Sequence, residues 1–128
     1  MDREKLLDLY KKYELEKTDV YKHQHYVIIT RAGIEKIAAK ENIAISYEVV
    51  KCDPNFAVVK AYAKKEEVQI ETFGSALKGA NYKDGNCNSW YVMEMAEKRA
   101  LSRSVLKLTG FYELGVFGED ESDDFKRK

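Results

Sequence analysis

Three cations follow one another at helical spacing near the end of the chain. Arg99, Arg103 and Lys107 lie four residues apart, so on a helix they share one stripe, with Lys98 on its flank. Such a stripe can bind the phosphates of a nucleic acid. It can equally be a solvated face that forms ion pairs with neighbouring glutamates such as Glu97. The spacing alone does not separate the two interpretations.

An earlier segment interleaves an aromatic residue with two cations. Lys60, Tyr62 and Lys64 alternate and therefore share one face of a β-strand. Cations neutralise phosphates, and exposed aromatic rings stack on bases whatever their sequence, which is what a single-strand binder requires. The water-exposed face of an ordinary sheet has the same composition, so that interpretation stays open too. A later loop repeats the combination with Lys78, Tyr82 and Lys83.

Few other residues are candidates for chemistry. His23 and His25 alternate along a predicted strand and could form half of a metal site, with partners from elsewhere such as Cys52 or Asp53. An ordinary pair of strand residues is the simpler interpretation. The sequence has no glycine-rich phosphate loop and no nucleophile elbow, so we expect no catalytic residue, metal or cofactor. Three carboxylates could imitate a nuclease set but are interpreted as turn and sheet-surface acids: Asp53, Glu67 and Glu71.

Length and composition indicate one globular domain. A chain of 128 residues buries roughly two-thirds of the surface that its unfolded form exposes, so it needs neither a disulfide nor a metal to fold. Its 45% hydrophobic and 34% charged residues are an ordinary globular balance. We predict a single α+β domain over residues 1–118 and an acidic, charged tail over 119–128.

The net charge of zero conceals an uneven distribution. Five of the 22 acidic residues and three of the 22 basic residues lie in 119–128, which leaves the remaining body slightly basic. The tail is either a solvated end or a segment that competes with DNA or recruits a recombination or replication protein. A small basic excess does not by itself identify a nucleic-acid binder.

The sequence predicts a cytoplasmic protein. Residues 1–5 lack the charged-then-apolar layout of an export signal, and no apolar run approaches the roughly 18 residues of a membrane span. Cys52 and Cys87 are therefore expected to be reduced.

Periodicity and turn residues predict an α+β fold with N-terminal helices. The short links at 53–55 and 65–66 permit only hairpins, so three consecutive strands form a three-stranded antiparallel meander. The long helix after it is apolar on nearly all sides, which predicts burial against the meander or in a subunit interface. The predicted elements are helix 3–14 capped by Asp2, strand 21–29, helix 31–41 capped by Thr30 and ending at Asn42, strands 44–52, 56–64 and 67–76, and helix 90–109 capped by Ser89 and closed by Gly110.

The order of meander, long loop and long helix resembles the core of the single-strand annealing superfamily. That group includes the phage Erf, Sak and RecT/Redβ-like recombination proteins and the eukaryotic ring-forming annealing proteins. Residues 95–110 are similar to the family's helix of the form A-E-T-K-A-x-x-R-x-x-L…G, and Gly115 with the acids at 119–121 is similar to the segment after it. The strand end at 72–76 resembles the glycine-bearing strand end before the family's loop. The resemblance covers about residues 26–121.

The resemblance implies a protein that binds single-stranded DNA and anneals it in homologous recombination of phage or prophage type. No nucleotide would be hydrolysed. The DNA would lie in a basic groove between the meander and the long helix, and the protein would assemble into rings or filaments. The position before Arg103, often basic in the ring-forming relatives, is Ser102. The expected DNA-binding residues are Lys60, Tyr62, Lys64, Lys78, Tyr82, Lys83, Lys98, Arg99, Arg103 and Lys107.

A different class of function stays open. An adaptor whose long helix docks a partner protein would also carry an apolar helix and would never bind DNA. Salt separates the two hypotheses, because binding through several phosphates weakens steeply with ionic strength and an apolar contact does not. If DNA binding is right, exchange of Arg99 and Arg103 for alanine should abolish it. The exchange should also leave stability within about 1 kcal/mol, as for exposed residues.

Overall fold

The computed structural model of the protein describes residues 3–23, 26–79, 85 and 91–119. Within these ranges the chain forms three α-helices, a short 3-10 turn at Tyr112–Leu114 and six strands. Their bounds are α1 Arg3–Lys12, β1 Val20–His23, β2 Tyr26–Ile29, α2 Arg31–Lys40, β3 Ala44–Asp53, β4 Phe56–Lys65, β5 Val68–Leu77, α3 Val92–Thr109 and β6 Val116–Gly118. The α+β prediction is confirmed.

The predicted meander is present as an antiparallel sheet in the order β3-β4-β5. Both hairpins turn in two residues, at 54–55 and at 66–67, as the short links require. Glu66 has a positive φ of 56°, a left-handed conformation that such a tight turn demands. The alternation of β4 is also confirmed, because Ala57, Val59, Ala61 and Ala63 are buried while the residues between them face the other way.

Helix α3 covers the buried face of the meander at very short range. Ala96 and Ala100 are fully buried on the side that meets the sheet. Gly74 on β5 permits the close approach, since a Cβ at that position would lie 2.1 Å from the carbonyl oxygen of Ala96. The Thr72 hydroxyl donates a hydrogen bond of 2.9 Å to the carbonyl oxygen of Ala100. The helix and the sheet therefore touch backbone to backbone.

A second, small sheet was not predicted in this form. The segment expected as one strand over 21–29 is a hairpin of β1 and β2, with Val20 opposite Ile29. The third strand, β6, returns after α3 and pairs parallel to β2. No glycine or proline lies between β1 and β2, so the sequence contains no signal that one strand ends and another begins there. Residues 24 and 25, between the two strands in the chain, lie outside the described residues.

Helix α2 begins and ends where its sequence predicts. The Thr30 hydroxyl accepts a hydrogen bond of 3.2 Å from the Gly33 N–H, which satisfies a backbone donor that the helix cannot. Asn42 adopts a left-handed φ of 53° just beyond the helix, as expected for a terminating residue. The caps predicted at Asp2 and Ser89 lie outside the described residues.

Helix α3 is the wall shared by two apolar clusters. Its first half, with Val92 and Ala96, packs on the meander. Its second half, with Val105 and Leu106, packs on α1, α2 and the small sheet. The prediction that this helix is buried is thus confirmed, and its cover comes from its own chain. Among the described residues, no helix is both long and apolar enough to cross a membrane.

One carboxylate ties three parts of the fold together. Glu41, at the end of α2, accepts a hydrogen bond of 2.5 Å from the Tyr13 hydroxyl. It also lies 2.9 Å from Lys12 Nζ and 3.2 Å from Lys65 Nζ. The hydrogen bond from Tyr13, supported by the two lysines, lowers the pKa of Glu41 from 4.5 to about 2. The folded protein therefore favours the ionised carboxylate more than the unfolded chain does. The stability that ionised Glu41 contributes to the fold is complete above about pH 4.5 and is lost as the pH falls towards 2.

Replacement of Glu41 by glutamine is therefore expected to destabilise the fold by about 2 kcal/mol at neutral pH, the scale of hydrogen bonds to a charged group. The variant should also lose part of the decline in stability between pH 4.5 and pH 2. Urea unfolding at pH 7 and pH 3 measures both effects. Glu35→Gln, at an exposed position of the same helix, is the control, and equal losses in the two variants would contradict the assignment.

Candidate nucleic-acid interface

The candidate interface begins on the face of the meander that points away from α3, here called the open face. The register places Lys60 between Glu48 on β3 and Phe73 on β5, and Tyr62 between Ser46 and Glu71. The predicted set of Lys60, Tyr62 and Lys64 therefore does share one face. The charged and aromatic residues of the open face are Glu48, Lys51, Asp53, Phe56, Lys60, Tyr62, Lys64, Glu71 and Phe73.

Two rings on the open face flank one cation. Lys60 Nζ lies 5.0 Å from the centroid of the Tyr62 ring and 5.6 Å from that of Phe73, distances at which a cation is attracted to an aromatic face. Phe73 is 48% exposed, although phenylalanine is among the residues that folded proteins most often bury. Phe73 is not recognisable as part of this set from the sequence, because only the strand register places it beside Lys60.

Acidic neighbours hold these side chains in place. Glu71 lies 3.2 Å from Lys60 Nζ, and this hydrogen-bonded contact raises the pKa of Lys60, which therefore keeps its charge. The Tyr62 hydroxyl donates a hydrogen bond of 2.7 Å to Glu48, which raises the pKa of Tyr62. The described open face carries as many carboxylates as lysines, so its exposed rings, rather than its net charge, distinguish it.

The arginines of α3 lie at the outer edge of β5 rather than in one solvated stripe. Arg99 is only 4% exposed, and its Nη1 donates a hydrogen bond of 2.8 Å to the carbonyl oxygen of Ser75. Arg103 is half-buried, and its Nη1 donates a hydrogen bond of 3.0 Å to the carbonyl oxygen of Phe73. The expectation that both are exposed is wrong for Arg99, because its guanidinium satisfies a backbone acceptor of the sheet edge.

Arg103 connects this edge with the open face. It bonds to the backbone of Phe73, the residue whose ring lies beside Lys60 on the open face. A cation, an aromatic ring and a second cation thus follow one another from the edge of β5 to the centre of β4. Among the described candidates, Arg103, Lys60, Tyr62 and Lys64 are the ones that the fold brings together.

The remaining predicted contacts are placed elsewhere. Lys107 lies at the far end of α3, with its Nζ 5.4 Å from the Tyr112 ring. Lys98 is half-buried on the side of α3 opposite to Ala96. Lys78 follows β5, and its backbone N–H donates to Asn55 at 2.7 Å. Two further predicted residues, Tyr82 and Lys83, lie outside the described residues.

The expected groove between the meander and the long helix is filled where β4 and β5 meet α3. The alanines of β4 are buried there. The backbone of α3 occupies the space that a side chain at Gly74 would need. A DNA strand has no space between these layers. Lys60, Tyr62 and Lys64 therefore occupy the open face, and Arg99 and Arg103 occupy the β5 edge, instead of one groove.

Ser102 is also a core position rather than a groove position. It is 1% exposed, and a Cβ on Gly118 of β6 would lie 2.7 Å from its own Cβ. A small residue is required here because β6 crosses the helix at this point. A basic side chain at 102 would meet the small sheet, so its absence removes nothing from the open face.

Other candidate chemistry finds little support within the described residues. No three of their His, Cys, Asp and Glu side chains gather closely enough to hold a metal ion. Two of the three possible nuclease acids form ion pairs, Asp53 with Lys51 at 3.3 Å and Glu71 with Lys60, and Glu67 lies in a turn. His25 lies outside the described residues.

Comparison with known proteins adds no assignment. No family model matches the chain, no curated protein matches it, and no solved structure matches its fold. The function must therefore be inferred from the chain's own residues.

Proposed function

We propose that the protein binds single-stranded DNA on the open face of the meander and anneals it to a complementary strand, without hydrolysis. The observation that carries the proposal is the Lys60 ammonium between the rings of Tyr62 and Phe73, on an exposed sheet face. Exposed aromatic rings stack on bases of any sequence, and each stacked base contributes about 1–3 kcal/mol. Single strands present their bases for such stacking, whereas a duplex hides them.

Each residue of the open face has a distinct role in this proposal. Phe73 and Tyr62 stack on successive bases. Lys60, Lys64 and Arg103 bind the phosphates between them, and a phosphate on Lys60 takes the place of Glu71. Such exchange costs little because Glu71 is exposed to solvent, and ion pairs at the surface contribute at most about 1 kcal/mol. Held against the rings, the strand is extended, and a complementary strand can pair with it without the full repulsion of two free backbones.

The biological setting follows from the resemblance to the single-strand annealing superfamily. We propose that the chain acts in homologous recombination of phage or prophage type and that it does so as an oligomer. The filled layer between α3 and the meander moves the proposed DNA path from the groove that the resemblance implies to the open face.

The adaptor hypothesis has less support. It depended on the apolar surface of the long helix, but α3 packs against the meander on one side and against the small sheet on the other. Little apolar surface of α3 is left for a partner. The open face has no comparable role in that hypothesis.

Replacement of Phe73 by alanine is expected to weaken binding of labelled oligo-dT by about tenfold, the scale of one lost base stack. Fluorescence anisotropy, titrated at low and physiological salt, measures it. Wild-type protein should prefer the single strand to duplex and should weaken with salt, because Lys60, Lys64 and Arg103 neutralise phosphates.

The control is Val68→Ala on the same strand. Val68 is 58% exposed but belongs to the side of β5 that faces away from Phe73. Both exchanges remove an exposed apolar side chain, and neither should alter folding. Equal affinity of the two variants would refute the open-face site, and absence of wild-type binding at low salt would refute DNA binding altogether.

A further inference from the structure

Three exposed apolar residues lie on β3, at the outer edge of the meander. Tyr47, Val49 and Val50 are 39%, 57% and 51% exposed, and every residue of β3 except the half-buried Ile45 is exposed. Within the described ranges no strand pairs with this edge. A ten-residue edge that is unpaired within the described part of the chain is a template for a further strand.

The opposite edge of the sheet differs. On β5, the outward carbonyls of Phe73 and Ser75 accept hydrogen bonds from Arg103 and Arg99. These guanidiniums satisfy the acceptors that an added strand would need. A second copy of the chain therefore finds a blocked edge at β5 and an available edge at β3.

The same hydrogen bonds determine to which side each residue of β3 directs its backbone N–H and C=O groups. Because the carbonyl of Phe73 points outward, its partner Lys60 directs its backbone groups to the other neighbour, Glu48. Ser75 lies opposite Val58, and Val58 lies opposite Lys51. By the same reasoning, the backbone groups of Lys51 point inward, towards β4. The backbone groups of Tyr47 and Cys52, next to these two, consequently point to the outer edge.

An irregularity makes β3 complementary to itself. The register with β4 shifts between Val49 and Lys51, and one extra residue reverses the alternation of faces beyond it. Glu48 and Lys51 therefore share the open face, and Tyr47 and Cys52 share the other face. In a regular strand, residues three or five positions apart would lie on opposite faces.

We propose that β3 pairs antiparallel with β3 of a second copy of this chain, about a twofold axis at the bulge. Tyr47 then lies opposite Cys52 of the second copy, with both backbones directed outward for hydrogen bonding. Glu48 lies opposite Lys51 of the second copy, so the pair contains two complementary charge contacts. A charged residue on an edge strand usually opposes pairing, but here each charge meets its opposite.

This interface closes after two copies, because the same surface is used on both sides. It joins two meanders into one six-stranded sheet with both open faces on the same side. The β3 contact rests on none of the residues assigned to the bases, although Glu48 also accepts the hydrogen bond of the Tyr62 hydroxyl, and it can form without DNA. Measurement without nucleic acid therefore separates a failure of this proposal from a failure of the proposed function.

Charge reversal tests the register. Sedimentation velocity over a concentration series should show wild-type protein approaching the mass of two chains. Glu48→Lys should raise the protein concentration at the midpoint of dimer formation at least tenfold, because like charges then face each other. The double exchange Glu48→Lys with Lys51→Glu should restore it. Glu67→Lys makes the same charge change in an exposed turn and should leave the midpoint unchanged.

A cross-link tests the contact directly. Directly opposed, hydrogen-bonded residues have Cα atoms about 5.5 Å apart, within disulfide range. In a Cys87→Ser background, the cysteine of Tyr47→Cys should therefore form a disulfide with Cys52 of the second copy under mild oxidation. Ser46→Cys should not, because position 46 faces the other side of the sheet. A wild-type chain that stays single, a midpoint unaffected by Glu48→Lys, failure of the double exchange to restore pairing, or equal cross-linking of the two cysteines would each overturn the proposal.

Discussion

Replacement of Gly74 by alanine is expected to lower the free energy of unfolding by about 3 kcal/mol, at the upper end of the cost of overpacking a core. The added Cβ would lie 2.1 Å from the carbonyl oxygen of Ala96 and 2.5 Å from the backbone nitrogen of Ala100. Both atoms belong to the helix backbone, so no side-chain rotation relieves the contact. Helix α3 must move as a whole, and it is the wall of both apolar clusters.

The expected sign is the reverse of ordinary strand propensity. Glycine inside a strand usually costs about 0.5–1 kcal/mol relative to alanine, so a mere loss of backbone freedom would make Gly74→Ala more stable. Urea unfolding measures the difference. Ser75→Ala is the control, because it alters the next residue, on the open face, and keeps the carbonyl that Arg99 requires. A Gly74→Ala variant as stable as Ser75→Ala would show that helix and sheet are not in backbone contact.

The elements with local signals could be predicted from the sequence. Alternation along β4 and the short links at 53–55 and 65–66 predict the meander, and the Thr30 cap and Asn42 predict the ends of α2. The small sheet has no such signal. Its parallel pair joins β2 to the three residues of β6, which are distant in the chain. They come together because α3, which separates them in the chain, packs against the small sheet that they form.

The candidate site was predictable to the extent that it depends on one strand. The shared face of Lys60, Tyr62 and Lys64 follows from alternation alone. Phe73 required the β4–β5 register, whose turn falls at 66–67, one residue later than expected. The burial of Arg99 could not be foreseen, because a basic residue on a helix has the same spacing whether it faces water or a carbonyl of a neighbouring strand edge.

Arg99 and Arg103 are consequently expected to separate in their effects, although the sequence suggested that they act as a pair. Arg99→Ala should destabilise the fold by about 3 kcal/mol, because it leaves the Ser75 carbonyl without this donor and removes a buried side chain from the packing. Arg103→Ala should cost about 1 kcal/mol, the scale of one hydrogen bond at a half-buried position. Thermal or urea unfolding of the two single variants measures this difference.

Binding should show the opposite order. Arg103→Ala should weaken oligo-dT binding by about tenfold at low salt and reduce the salt slope by about one phosphate contact, since Arg103 lies where the open face meets the β5 edge. Arg99→Ala, assayed at a temperature where it is fully folded, should keep the wild-type slope because its guanidinium is buried. Lys107→Ala, at the far end of the same helix, provides a charge-matched control. Equal loss of slope in all three variants would indicate a diffuse basic surface and would exclude a strand path that turns from Phe73 onto Arg103.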